Sequence, residues 1–145
     1  MPSNDEIRQL QQLLLQAAIT GRDLPGGNRP VQFPDLAFIT RQPAIFVLDE
    51  NLAGSVSLED SPLPLRILSR ELLEEEARTR KESVAYLAFN NKVLSKDEVQ
   101  LTLEGRIVGY DSAEAVPLGL SSIHVTFRKL GGRWEITGEP SFSAA

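Results

Sequence analysis

The chain has 145 residues, 41% of them hydrophobic, which is enough for one self-sufficient core and too apolar for wholesale disorder. A net charge of −5 without a basic run argues against nucleic acid or an anionic membrane as partner. With no cysteine and a single histidine, the chain has no disulfides, no thiol catalysis, and no cysteine-based or multi-histidine metal site within one subunit.

Ser3-Asn4-Asp5-Glu6 reads as a capping box, and Ile7, Leu10, Leu13, Leu14, Ala17 and Ala18 follow as one stripe at helical spacing. Gly21 supplies the stop. Arg22 to Pro34 carries Pro25, Gly26, Gly27, Pro30 and Pro34 and is expected to be loop. Gly26-Gly27 lacks both the Gly-Lys-Ser/Thr and the strand–loop–helix context of a phosphate cradle. Ala44 to Leu48 is a short apolar strand, and Gly54 to Pro64 is a second loop.

Ser69 can cap a second helix running to about Lys81, with Glu71, Glu74 and Glu75 early and Arg78, Arg80 and Lys81 late, as the macrodipole favours. If that helix begins early, Leu65, Leu68, Leu72 and Leu73 form its apolar stripe and Glu76 projects into the middle of it. Arg80, one turn on, is placed to pair with Glu76; the other reading is a carboxylate facing a cavity.

The second half alternates. Setting Leu94 opposite Glu98 across Ser95-Lys96-Asp97 places Phe89 against Leu103, Val93 against Val99 and Ala85 against Ile107. Tyr86 then faces Arg106, and Asn90 faces Thr102, on the other side. Gly109 to Gly119, with Tyr110, Asp111 and Pro117, is a longer hairpin loop. Ser121 to Lys129 returns with Ile123, Val125 and Phe127 inward, which turns His124 outward, within reach of Glu139 and Glu104 and away from any catalytic role. Gly131-Gly132 favours a type I′ turn, which sets Phe127 opposite Ile136, Lys129 opposite Trp134 and Arg128 opposite Glu135. The expected fold is one α+β domain over residues 1–145. Two helices pack on one face of a curved four-stranded antiparallel meander, with an extra short strand between the helices.

A helical first half, a long antiparallel sheet and the hairpin ending Gly-Gly-Arg-Trp-Glu-Ile resemble the NTF2-like, or cystatin-like, superfamily over roughly Ser69 to Phe142. The resemblance implies a sheet wrapped around a helix as a cone, with Gly105, Gly119 and Gly138 at its bends. The strand at Ala44 to Leu48 departs from that pattern. The superfamily includes isomerases, dehydratases, ligand binders and dimeric assembly modules. Its isomerases pair an inward carboxylate with a tyrosine, and no motif here matches such a pair.

Inward sheet positions are almost all apolar, whereas a catalytic cavity needs convergent polar groups. The first expectation is therefore a non-catalytic module, homodimeric, binding an apolar small molecule or a protein partner. Glu76, Asn91 and Ser121 would be its polar contacts and Phe89, Leu103 and Trp134 its walls. The alternative is a cofactor-free isomerase or lyase with Glu76 as general base. Neither reading calls for a metal or cofactor. A cytoplasmic location is expected, since no run is long enough to span a bilayer and the N-terminus lacks a signal-peptide core.

Overall fold

The Glu6 amide donates to Ser3 Oγ at 3.1 Å and the Ser3 amide donates to Glu6 Oε1 at 3.2 Å, which closes the capping box. Helix α1, Asn4–Thr20, starts there and stops at Gly21, whose φ of 72° is the left-handed cap. This computed structural model describes residues 2–27, 29–33, 36–61, 63–109 and 118–143. After α1 come a single-turn helix α2 (Leu36–Thr40), strands β1 (Ile45–Leu48) and β2 (Leu65–Leu68), and helix α3 (Arg70–Arg80). Strands β3 (Val84–Ser95), β4 (Glu98–Val108), β5 (Leu118–Leu130), β6 (Arg133–Ile136) and β7 (Ser141–Ser143) complete the fold.

Seven strands form one mixed sheet in the order β2-β1-β3-β4-β5-β6, with β7 also on β5. β3 to β6 is the expected meander. Phe89 pairs with Leu103, Tyr86 with Arg106, Phe127 with Ile136 and Lys129 with Trp134. Gly131 and Gly132 both have positive φ, 56° and 80°, as the two-residue turn requires. One register point differs: Ser95, not Leu94, pairs with Glu98, because a bulge after Val93 absorbs Leu94. A second irregularity falls between Glu104 and Arg106, at Gly105. The tip of the β4–β5 connection, with Tyr110, Asp111 and Pro117, lies outside the described residues.

Three expectations are corrected. The sheet is not a four-stranded antiparallel meander alone, because β1 runs parallel to both β2 and β3, and β7 adds a further edge segment. Leu65 and Leu68 belong to β2 rather than to an early turn of the second helix, which begins after its Ser69 cap. Lastly, the helices lie on opposite faces of the sheet. Val47, Leu87, Phe89, Leu103 and Phe127 pack with Leu10, Leu14 and Leu15 of α1. Phe46, Leu48, Tyr86 and Ala88, one residue out of phase, pack with Leu73 and Ala77 of α3. Residues 84–89 of β3 are consequently buried on both sides, while the rest of that strand is half exposed. A parallel β1–β3 pair demands such a crossover, and α3 lies on it.

Glutamine side chains stand in for missing strand neighbours. Gln42, buried just before β1, donates to the Ala85 carbonyl at 2.8 Å and accepts from the Ala85 amide at 2.7 Å. On α1, Gln12 and Gln16 bind the amide and carbonyl of Ser57 and Glu59 in the same two-point manner. Gln11, fully buried, donates to the Asn51 carbonyl and to Asn91 Oδ1 and accepts from the Ala53 amide. The segment from Asn51 to Glu59 is thereby laid along α1, with Val56 inserted in the core. The α1 stripe shifts accordingly: Gln11 and Leu15 are buried, whereas Leu13 is 37% exposed.

Candidate functional site

The polar residues expected to form the site are each held in place by a different part of the fold. Glu76 faces β2, where its Oε1 accepts from Arg66 Nη1 at 3.0 Å and its Oε2 lies 4.0 Å from Arg80 Nε. Its principal partner is therefore Arg66, across the helix–sheet contact, and not the i,i+4 arginine. Arg66 also lies 5.6 Å from the Phe46 ring centroid, so the pair is braced against the sheet. Glu76 is thus held between two guanidinium groups, and none of the clefts found among the described residues is lined by it. Glu76→Gln is expected to lower stability by no more than about 1 kcal/mol, as for partly exposed ion pairs. Thermal unfolding of the variant checks it.

Asn91 is on the opposite face of the sheet, bound to Gln11 and to the Asn51 carbonyl. Ser121 is buried in the core-facing row of β5 beside the irregularity at Gly105. Phe89 and Leu103 are closed core, 1% and 0% exposed. Glu76, Asn91 and Ser121 therefore do not converge. His124 does point outward, but its ring nitrogens meet Thr102, Ser122 and Ser143 hydroxyls at 3.0–3.2 Å instead of the expected Glu139 and Glu104. Hydroxyls without a carboxylate to orient the imidazole make a hydrogen-bonded patch, not a charge-relay arrangement.

Trp134 has a polar role that its spacing did not reveal. Its indole N–H donates to Glu6 Oε2 at 2.9 Å, and Lys129 Nζ reaches the same oxygen at 3.0 Å. The Trp134 hydrogen bond, then the Lys129 one, then the Ser3 amide hold the Glu6 carboxyl down at about 2. The α1 cap is so fastened to the β5–β6 hairpin. Because the folded-state value lies below the unfolded one of 4.5, this contribution is complete above pH 4.5 and disappears as pH falls towards 2. Glu6→Gln is expected to melt a few degrees lower than wild type at neutral pH. The gap should close on acidification over that window, as thermal melts against pH would record.

An open cleft lies elsewhere, at the other end of the β5 edge. The loop after α1 approaches so closely that a Cβ on Gly26 would stand 2.8 Å from Glu135 Cβ, and one on Gly27 would stand 2.9 Å from Ile136 Cδ1. The Ile136 amide donates to the Pro25 carbonyl at 2.8 Å, so the glycine pair is a docking joint for β6. Beyond Ile136 the edge breaks at Gly138, φ 73°, and resumes as β7. Loop and break enclose a cleft of about 480 Å³ with Val31, Ile136 and the half-exposed Phe142 as apolar walls and Arg29 and Glu139 as charged ones. Its volume falls within the usual range for small-ligand sites. Sequence reading missed Arg29, Glu139 and Phe142. The one available signal was a Gly-Gly in a loop with no phosphate-binding context, a pair that needs some other close approach to explain it.

Among the described residues no group of acidic and histidine side chains is arranged to hold a metal ion, and no helix is long and apolar enough to cross a membrane. Comparison with protein-family models, with curated proteins and with solved structures finds no match to this chain.

Proposed function

We propose that the chain is a non-catalytic binding module that holds an apolar small molecule in the cleft between the loop at Gly26-Gly27 and the β6–β7 break. The observation that carries this reading is the cleft itself: apolar surface of Ile136 and Phe142 remains open above the buried Val31, beside a core that is otherwise closed around Phe89 and Leu103. The module acts as a homodimer joined through the outer sheet face. That face mixes Lys92, Arg128, Glu98 and Glu135, a pattern of both signs that a second copy can complement. Kinship with the NTF2-like superfamily is part of the same reading. Its support is the β3–β6 meander with α1 against the inner face, and the parallel pair β1–β2 is an addition to that plan.

Titration with indole, followed by amide NMR, tests the site. Shifts gathered at Gly26, Gly27, Ile136 and Gly138, and weakened by Phe142→Ser with the melting temperature unchanged, are the expected result. Shifts scattered over the surface, or none, would remove the assignment. Sedimentation at micromolar concentration tests the dimer separately, and a monomer there would end that part of the reading.

A further inference from the structure

Arg29 and Glu139 line the cleft with opposite charge, yet neither makes an ion pair or hydrogen bond with any described residue. Both are exposed in the free chain, so each is available to a ligand without first breaking a pair. The main chain beside the two charges is open as well, since Gly138 and Glu139 take part in no backbone hydrogen bond with the described residues outside the strand ladders. A purely apolar ligand would use the walls of this cleft and neither of its charges. A simple apolar acid would satisfy Arg29 and be repelled by Glu139, and an apolar amine would meet the reverse.

We infer that the ligand is a short zwitterionic peptide with apolar side chains. Its carboxylate sits on Arg29, its ammonium on Glu139, and its side chains lie against Val31, Ile136 and Phe142. The Gly138–Glu139 main chain is placed to bond its peptide unit. Arg29 suits a carboxylate because its planar fork can donate two parallel bonds. The cleft volume of about 480 Å³ accommodates a ligand of dipeptide size. This inference rests on the binding reading above and narrows it to a ligand class.

The test is calorimetric titration of the full chain with L-leucyl-L-phenylalanine, its N-acetyl form, its C-terminal amide, and the form blocked at both ends. The free dipeptide should bind, and blocking either end should weaken it by about tenfold or more, the scale of one charge-assisted hydrogen bond. Arg29→Gln should abolish the preference for a free carboxylate over the amide while keeping the preference for a free amine. Glu139→Gln should do the opposite. Neither variant touches the core, so an unchanged melting temperature shows that each is folded. If the doubly blocked peptide binds as tightly as the free one, the zwitterion inference falls and the apolar-ligand reading stands. If both variants weaken every form equally, the inference also falls. If neither indole nor any peptide binds, both readings fall together.

Discussion

Gln42→Ala is expected to lower the free energy of unfolding by about 2–6 kcal/mol, because it orphans two buried backbone groups that each cost about 1–3 kcal/mol when left unpaired. The Gln42 amide meets both the N–H and the C=O of Ala85, at the point on β3 where β1 has not yet begun to pair. Ala85 is 5% exposed, so water cannot replace the lost bonds without entering the core. Gln42→Glu separates this cause from lost packing. Its size is the same, but the ionised form presents an oxygen to the Ala85 carbonyl. Burial then raises the new carboxyl's pKa above its unfolded value, so the folded state holds the proton more tightly and the variant should regain stability as pH falls. Denaturant titrations at neutral and mildly acidic pH measure both effects. An alanine variant within a few tenths of wild type would show that Gln42 is not a structural stand-in for a strand.

Phe89→Ala is expected to cost about 3–5 kcal/mol, the usual range for removing a buried phenylalanine. Phe89 is 1% exposed, pairs with Leu103 across the centre of the sheet, and belongs to the cluster that includes Leu10 and Leu14 of α1. The residues that would have to collapse into the space stand on a paired sheet and a capped helix, which limits relaxation. The same variant decides whether Phe89 is a wall of the ligand site or simply core. The cleft at Val31, Ile136 and Phe142 does not include it, so the folded fraction should bind probes as wild type does. A selective loss of binding with stability preserved would return Phe89 to the ligand site.

Much of the fold was legible locally. The capping box, the Gly21 stop, the Ser69 cap and the hairpin registers around Gly131-Gly132 each depend on residues within a turn or on two adjacent strands. Alternation then pins the register, because a slip of one residue would turn a whole apolar row outward. Even so, Leu94 was misplaced by one position, since a bulge leaves the alternation intact on either side and cannot be read from it.

The candidate site was not legible, and the reason is distance along the chain. Glu76 looked anomalous because its neighbours in sequence supplied only Arg80, whereas its closest partner is Arg66 on a strand whose leucines had been assigned to the helix stripe. Asn91 suits a polar contact and Trp134 an apolar wall of a pocket, but Gln11 and Glu6, 80 and 128 residues away, commit them to structure.

By itself, then, the sequence determined the α+β class, the caps, and which face of each meander strand is apolar, because these follow from side-chain periodicity and short-range turn chemistry. Only the tertiary structure decided that β1 pairs in parallel, that α3 crosses to the opposite face from α1, and that Arg29 and Glu139 share a cleft with Phe142. A four-residue strand buried on both faces shows no alternation to reveal its direction or its covering helix, and a cleft between a loop and a broken edge has no sequence period at all.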